Sequence, residues 1–407
     1  MSEWKFVAYE SLASTDRSAF SMGPFGSKIT KDNYVPSGVP VIRGVNLSRG
    51  RFLDDDYVFI THEKADDVLP ANVEPGDLIF THRGTIGQVS MVPRHPRFDR
   101  YVIGSSQVKT RLDEKKALPE FYYYWFQSGE GQRSILAHTS TVGVPGISTP
   151  LTSIRNLQVP YPPLTEQQGI AASLGALDEK IAVNERIAAK TDALASSMFE
   201  ALLASSEEIN QVLLAEVADV NKSSVKPSGE GTLRYVDISS VEIGSYNWPE
   251  QTSWADAPGR ARRKAAVGDT IWSTVRPNRR SHALVLDDDP DLVFSTGLAV
   301  LTPRSVGPAF LYEATRTAAF QAYLESVAEG SAYPAVRADR FKAAPLELPS
   351  PEERHRFEGR VMAIRLRAHQ SNVESRTLAT LRDTLLPQLM SGRLRVRDAE
   401  KIVEDHA

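Results

Sequence analysis

The chain has 407 residues, of which 41% are hydrophobic and 24% are charged, and it contains no cysteine. This length predicts two or three domains with ordinary cores, and the lack of cysteine excludes disulfides, cysteine-ligated zinc, iron–sulfur clusters and a thiol nucleophile. The net charge of −4 argues weakly against a nucleic-acid ligand, but local basic stretches decide what one face of a protein binds.

The beginning of the chain does not resemble a targeting segment. Residues Met1–Glu10 include two glutamates and no apolar core, unlike a secretory signal. The longest uncharged stretch, between Arg133 and Arg155, is rich in Ser, Thr, Gly and Pro and is unsuited to span a bilayer. We therefore expect a cytoplasmic protein that has no membrane partner.

Two motifs in the first third of the chain predict regular structure. Glu74–Phe80 (EPGDLIF) is a Gly-Asp turn followed by apolar residues, which is typical of a turn leading into a strand. Pro119–Phe126 (PEFYYYWF) predicts a helix that is buried on one face. Its aromatic rings could alternatively form a platform for stacked bases.

The next segment predicts a long helix of the coiled-coil type. We expect Thr165 to cap this helix, with Gln168 completing a capping box. From Ile170 onward, one seam follows an unbroken 4-3-4-3 spacing, which is the pattern of a two-helix coiled coil. Asn184 and Thr191 are polar positions within this seam, and they could set its register.

The second half of the chain repeats the first. The corresponding segments are Glu74–Phe80 and Ala266–Trp272 (AVGDTIW), Pro119–Phe126 and Pro308–Thr315 (PAFLYEAT), and Tyr161–Gln168 (YPPLTEQQ) and Leu348–His355 (LPSPEERH), separated by 192, 189 and about 187 residues. Several matches in the same order indicate a duplication, and the period is far too long for a solenoid. The repeat predicts two similar globular modules, each followed by a long helix.

The second helix has the same signals at its ends. We expect Ser350 to cap it, Pro351 to occupy its first turn and Glu353 to complete a capping box. Pro387 should end or kink the helix, and we expect Gly392 to form the C-terminal stop, because glycine tolerates the left-handed conformation common at that position.

These elements predict an α+β fold. Two similar globular domains would be separated by two long antiparallel helices forming a coiled coil, as a dumbbell with a pseudo-two-fold axis. We assign residues 1–163 to the first domain, 164–205 to the first helix, 206–349 to the second domain, 350–395 to the second helix and 396–407 to a C-terminal tail. The expected helix–helix contacts are Ile170, Leu174, Leu177, Ile181, Met198, Leu202, Phe357, Val361, Ile364, Leu378 and Leu385.

Three segments resemble a known family. Pro162–Ile181 (PPLTEQQGIAASLGALDEKI), Leu381–Val396 (LRDTLLPQLMSGRLRV) and Gly23–Leu47 are similar to regions of the specificity (S) subunits of type I restriction–modification enzymes. The resemblance implies two target-recognition domains, each reading one half of a split double-stranded DNA sequence. It also implies that the helices fix the gap and dock two methyltransferase subunits, with restriction subunits joining through the complex.

The resemblance further implies where the chemistry takes place. S-adenosylmethionine, ATP and Mg²⁺ are expected on the partner subunits, and no cofactor or metal ion on this chain. Consistent with this, the eight histidines show no metal-ligand spacing such as H-E-x-x-H. We therefore expect a non-catalytic subunit. Two alternatives remain open: a coiled-coil scaffold that joins two protein partners without reading DNA, and a self-contained enzyme.

Basic residues near the repeated strands are the candidates for DNA contact. In the second module they are Arg276, Asn278, Arg279 and Arg280, and in the first they are Arg83, Thr85, Lys28 and Arg43. Arginine can bridge guanine O6 and N7, and asparagine can pair with adenine N6 and N7. The alternative for each is a solvated loop whose charge is neutralised by nearby acids.

Overall fold

The structure, a computed structural model, describes residues 4–25, 28–140, 145–226 and 229–405. Its contacts divide the chain into unit 1, which comprises residues 1–181 and 377–407, and unit 2, which comprises residues 182–376. The helices are α1 (His62–Asp66), α2 (Pro119–Gln127), α3 (Gly129–Leu136), α4 (Pro150–Arg155), α5 (Leu164–Ser205), α6 (Leu214–Val217), α7 (Pro308–Ala314), α8 (Ala318–Ser326), α9 (Ala338–Lys342), α10 (Pro351–Met390) and α11 (Val396–Glu404).

Unit 1 is built on two four-stranded sheets and a two-stranded ribbon. Its strands are β1 (Lys5–Ala8), β2 (Phe20–Met22), β3 (Val39–Ile42), β4 (Val58–Ile60), β5 (Asn72–Val73), β6 (Leu78–Thr81), β7 (Val89–Met91), β8 (Tyr101–Ile103), β9 (Gln107–Thr110), β10 (Thr139–Ser140), β11 (Gly146–Ile147) and β12 (Gln158–Tyr161). The sheets have the orders β2-β9-β6-β7 and β4-β3-β8-β5, and β1 pairs with β12. A further short ribbon joins β10 and β11.

Unit 2 repeats the topology of both four-stranded sheets and of the β1–β12 ribbon. Its strands are β13 (Asn210–Leu213), β14 (Ala218–Val220), β15 (Thr232–Val236), β16 (Gln251–Ser253), β17 (Ala261–Arg263), β18 (Thr270–Ser273), β19 (His282–Leu284), β20 (Leu292–Ser295), β21 (Leu298–Pro303) and β22 (Pro345–Leu348). The sheets have the orders β14-β21-β18-β19 and β16-β15-β20-β17, and β13 pairs with β22. The duplication seen in the sequence is thus a duplication of fold, and both Gly-Asp motifs lead into strands as predicted.

The aromatic segment of unit 1 forms the buried helix α2. Phe121, Tyr122, Trp125 and Phe126 are buried in the main apolar cluster of the unit. These rings are therefore core side chains, because burial leaves no free face on which a base could stack.

In unit 1 the start of α5 packs on the end of α10. Its seam residues Ile170, Leu174, Leu177 and Ile181 share one apolar cluster with Leu378 and Leu385. The Arg382 guanidinium forms an ion pair with Asp178 (Nη1 to Oδ1, 2.6 Å). The hydroxyl of Tyr124 donates to the other carboxylate oxygen of Asp178 at 2.8 Å, so α2 is tied to the same contact.

In unit 2 the second half of α5 packs on the first half of α10. Asn184 donates to Glu374 at 2.8 Å, and the rings of Phe199 and Phe357 lie 5.6 Å apart. Contact positions therefore descend along α10 as they ascend along α5, so the two helices are antiparallel. The Thr191 hydroxyl donates to the carbonyl groups of Ile187 and Ala188 within its own helix.

The burial of individual seam positions in unit 2 differs in detail from the heptad pattern. Phe357 and Val361 are buried, whereas Met198, Leu202 and Ile364 are partly buried against the same cluster. Phe199, which follows Met198 on α5, is buried. The 4-3-4-3 count did not select Phe199, because it places only one of two neighbouring apolar residues on the seam.

The predicted cap of the first long helix is wrong. α5 begins at Leu164, so Thr165 lies within its first turn, and the carbonyl of Pro163 accepts from the amides of Glu166 and Gln167 at 2.9 and 3.0 Å. The glutamine that reaches back is Gln167, which accepts from the Leu118 amide at 2.8 Å. This bond fixes the start of α5 to the start of α2.

The predicted ends of the second long helix are correct in two of three places. The Ser350–Glu353 capping box is confirmed by the bonds from the Ser350 amide to the Glu353 carboxylate (3.1 Å) and from the Glu353 amide to the Ser350 hydroxyl (3.4 Å). Gly392 has φ +66° and follows the helix. However, α10 continues through Pro387 to Met390, so the proline does not end the helix.

The segment predicted as a C-terminal tail contains helix α11. Ala399 and Val403 are buried in the unit 1 cluster, and Val396 lies against Gly169 of α5. A Cβ at Gly169 would lie 2.4 Å from Val396 Cγ1, so glycine is required for this close approach. Within the described ranges, no helix is both long enough and apolar enough to cross a membrane.

One buried histidine makes the stability of the protein depend on pH. His282 stacks on Trp272 with the ring centroids 4.7 Å apart. Burial, together with the positive charge of Arg316, lowers the pKa of His282 from 6.5 to about 3. The folded state therefore keeps His282 neutral, while the unfolded chain takes up a proton as the pH falls below about 6.5.

We expect the contribution of His282 to be complete above about pH 6.5 and to be lost progressively down to about pH 3. Between pH 7 and pH 5 the loss should be about 2 kcal/mol of unfolding free energy. Urea denaturation at the two pH values measures it, and a His282→Phe variant should lose less over the same interval. An equal loss in both proteins would show that other groups cause the pH dependence.

Candidate nucleic-acid interface

Each unit presents a loop after a central strand of one sheet. In unit 1 the loop follows β6, and in unit 2 it follows β18. Both strands begin at an Asp side chain that closes the preceding turn: Asp77 accepts from the Glu74 amide at 2.9 Å, and Asp269 accepts from the Ala266 amide at 2.8 Å. The Gly-Asp motif therefore fixes where each strand starts. The length of the strand then fixes the position of the loop that follows it.

A second segment of each unit holds this loop by a backbone hydrogen bond. The Gly84 amide donates to the Pro145 carbonyl at 3.2 Å in unit 1, and the Arg276 amide donates to the Pro334 carbonyl at 2.7 Å in unit 2. The two bonds join equivalent positions of the repeated fold. In each unit, the loop after the central strand is thus one half of a pair of loops.

The structure brings three of the four unit 1 candidates together around an open cavity of about 730 Å³. Arg43, Arg83 and Thr85 line this cavity, with Arg83 and Thr85 exposed and Arg43 half-buried. Arg43 Nη2 donates to the carbonyl of Asp56 at 3.0 Å, so its guanidinium is held at the cavity wall. The lining offers guanidinium and hydroxyl donors, which suit phosphate oxygens or base edges.

The fourth candidate, Lys28, is exposed and is not part of this lining. Its amide donates to the carbonyl of Phe25 at 2.8 Å. The neighbouring residues 26 and 27, and residues 141–144 of the uncharged run beside Pro145, lie outside the described part of the chain. The placement of Lys28 therefore neither joins it to the other three nor removes it as a contact.

The positive charge at this cavity comes from arginine rather than histidine. His82, the residue before Arg83, is buried, and burial lowers its pKa below the ordinary value. Its Nε2 atom lies 3.1 Å from the carbonyl oxygen of Ser105. His82 is therefore neutral at pH 7 and serves to position the loop.

The four unit 2 candidates follow β18 on and around a 3-10 turn, Pro277–Arg279. Asn278 and Arg279 are exposed, whereas Arg276 and Arg280 are half-buried. Arg280 Nη2 donates to the carbonyl of Arg316 at 2.9 Å, which fixes this side chain to the body of the unit. The candidates therefore share one loop but have different environments.

Sequence reasoning missed Tyr333, which belongs to the second loop of unit 2. Tyr333 is 68% exposed, and the Arg276 guanidinium lies 4.5 Å from the centroid of its ring. Tyr333 is an aromatic residue in a run of small residues and proline (GSAYPA, Gly330–Ala335). A tyrosine between glycine, serine and proline residues was the available signal, since these residues are typical of loops rather than of a core.

Comparison with known proteins gives consistent matches. Residues 21–191 match the family described as "Type I restriction modification DNA specificity domain". Two proteins of Methanocaldococcus jannaschii are similar: the assigned specificity subunit of the type I restriction enzyme MjaX, at 20% identity over 90% of each chain, and the MjaVIII specificity subunit, at 21% over 73% of this chain and 75% of that protein. The crystal structure of the type I restriction–modification S subunit from M. genitalium covers 95% of this chain and 96% of its own, with a TM-score of 0.60 and 17% identity, and so shares the fold.

The module thus occurs twice, and in each copy a loop with exposed basic side chains lies after the equivalent strand. Residues 21–191 match the type I restriction modification DNA specificity domain, and the chain is similar over most of its length to specificity subunits of type I restriction enzymes.

Proposed function

We propose that each unit reads one half of a bipartite double-stranded DNA target and that the paired helices set the gap between the halves. The observation that carries this proposal is the repeated loop pair, which places Arg83 in unit 1 and Arg276 in unit 2 on equivalent loops. The two loops differ in amino-acid sequence, and each carries exposed hydrogen-bond donors. Such a pair suits a DNA target composed of two half-sites. The chain as a whole carries a net negative charge. DNA is therefore repelled by most of the surface and binds at these basic loops.

The chain acts as a non-catalytic subunit of a cytoplasmic complex. Two methyltransferase subunits dock on it and restriction subunits join through that complex, with S-adenosylmethionine, ATP and Mg²⁺ bound by these partners. The long helices leave the apolar side chains of Val183 and Leu194 on α5 and of Leu366 on α10 exposed, and these positions are available to such a partner.

The direct test uses the full chain together with its methyltransferase subunits. The complex selects DNA from a pool of duplexes with randomised sequence, and the bound fraction is sequenced. We expect one motif with two specified halves and an unspecified gap of fixed length. The same selection with an Arg83→Ala, Thr85→Ala variant should weaken the specification of one half and leave the other unchanged.

The alternative of a coiled-coil scaffold without DNA readout is not favoured by the family match. It predicts that the complex retains duplexes without any common motif, or retains none. A motif that is one continuous sequence, without an unspecified gap, would contradict the proposal that each unit reads its own half-site.

A further inference from the structure

The two units differ in the residue at one strained backbone position. Gly84 has φ +90° in unit 1, and the equivalent Arg276 has φ +53° in unit 2. Both amides donate to the proline carbonyl of the partner loop, so the fold requires a left-handed residue here. Glycine adopts this conformation freely, whereas arginine adopts it only at a cost in free energy. Strained backbone positions of this kind cluster at functional sites, so an arginine here points to a function for its side chain.

The side chain of Arg276 packs against an exposed aromatic ring. Its guanidinium lies 4.5 Å from the centroid of Tyr333, and 68% of Tyr333 is exposed. The backbones beneath the two side chains are joined by the Arg276–Pro334 hydrogen bond of 2.7 Å and by a bridge between Val275 and Ala335. The Arg276–Tyr333 pair is therefore fixed at both the backbone and the side chain.

Stacking on a ring leaves the hydrogen-bonding edge of a guanidinium available. The ring contacts the face of the guanidinium, while its N–H donors lie in the plane. Arg280, the other half-buried arginine of the loop, has a donor engaged with the Arg316 carbonyl. Within the described part of the chain, the Arg276 guanidinium is oriented by the ring and has no such hydrogen bond to a carbonyl group.

We propose that Tyr333 is a positioning residue that holds Arg276 for bidentate hydrogen bonding to guanine O6 and N7, so that the half-site read by unit 2 contains a G·C pair contacted by Arg276. This inference rests on the proposed function and adds to it a base and the residue that orients its reader. Bidentate bonding to guanine is the most common specific contact of arginine in the major groove. A preoriented guanidinium loses less side-chain entropy on binding than a mobile one.

The test measures discrimination at a single base pair. Wild-type full chain with its methyltransferase subunits first selects its motif from the randomised duplex pool. Competition binding then compares the selected duplex with duplexes in which each G·C pair of one half is replaced by A·T. We expect Arg276→Ala to reduce discrimination at one G·C pair by about tenfold or more, and Tyr333→Ala to reduce it at the same pair by roughly threefold. Tyr333→Phe, which keeps the ring, should behave as wild type.

Arg337→Ala is the matched control. Arg337 is an exposed arginine close to the same loop, and it pairs with Glu329 at 3.2 Å. We expect its removal to leave discrimination at every base pair unchanged, with any loss of affinity equal for all duplexes.

Two results would contradict the proposal in different ways. If Tyr333→Ala keeps full discrimination while Arg276→Ala loses it, Tyr333 does not position the arginine. If both variants weaken all duplexes equally, as a lost phosphate contact would, neither reads a guanine. Failure of the wild-type complex to select any two-part motif would instead overturn the proposed function itself.

Discussion

Replacing Arg365 with alanine is expected to lower the free energy of unfolding by about 3–5 kcal/mol. Arg365 lies on α10 and is buried, and it forms ion pairs with Glu313 of α7 and Asp192 of α5. Its guanidinium also lies 4.8 Å from the ring centroid of Tyr312. Alanine would leave Glu313, which is 2% exposed, as a buried carboxylate without its main counter-charge.

The electrostatics of this cluster support a large effect. Burial acts against ionisation of Asp192, but Arg316, at 2.7 Å, and Arg365 outweigh it and hold the pKa of Asp192 below its ordinary value. The cluster joins both long helices to the second module within unit 2, so its loss should loosen the attachment of the helices and of the module together. Urea denaturation followed by circular dichroism measures the change.

Two further variants separate the ion cluster from the loss of a long side chain. Arg367→Ala removes an exposed arginine from the same helix and should change stability by less than about 0.5 kcal/mol. The double variant Arg365→Met, Glu313→Leu removes both charges, and it should cost less than Arg365→Ala alone, because no uncompensated charge remains. A double variant less stable than the single one would contradict this explanation.

Replacing Leu177 with alanine is expected to cost about 2–5 kcal/mol of unfolding free energy. Leu177 lies on α5, is 0% exposed, and belongs to the cluster that joins α5 to Leu378 and Leu385 of α10. The loss combines the transfer of apolar surface with a cavity that two helices fixed by neighbouring contacts fill only partly. Thermal or urea denaturation of the full chain measures it.

The control for Leu177→Ala is the same substitution elsewhere on the same helix. Leu194 is 51% exposed, so Leu194→Ala should change stability by less than about 0.5 kcal/mol. Helix propensity is equal in the two variants, since both replace leucine with alanine within α5. Similar costs at the two positions would show that α5 does not pack on α10 through this seam.

The sequence was sufficient to predict the elements that repeat. The Gly-Asp turns before β6 and β18 were recognisable because turn chemistry and β-branched runs are local signals. The long helices were recognisable because a seam repeated over many turns is a strong pattern. Duplication reinforced both, since each signal occurred twice in the same order.

The details that the sequence did not predict depend on contacts between distant residues. Threonine is a favoured N-cap residue, so the sequence alone selects Thr165. In the structure the start of α5 is instead held by Gln167, which accepts from the Leu118 amide about fifty residues earlier in the chain. Phe199 is buried because it meets Phe357, whereas the heptad count selected its neighbour Met198. In each case a tertiary contact decided between two locally acceptable choices.

The candidate interface shows the same limit. Arg276 was predicted from its position after a strand, which is local information. Its partner Tyr333 lies more than fifty residues later, and only the pairing of the two loops through Pro334 brings the ring beneath the guanidinium. The left-handed backbone of Arg276 cannot be recognised in the sequence either. It is seen only in the structure, where Arg276 has a positive φ, as Gly84 does at the equivalent position.

The most direct test of the proposed function changes the length of the paired helices. Four helix-forming residues are inserted into α5 between Ile181 and Ala182, and four into α10 between Arg376 and Thr377. The insertion adds about 6 Å of helix. Methylated sites are then mapped in cells that contain the chain and its methyltransferase subunits and no other methylation system. We expect both half-site sequences to be unchanged and the gap to be longer by about one or two base pairs. An active variant that methylates the original motif with its original gap would show that the helices do not set the spacing.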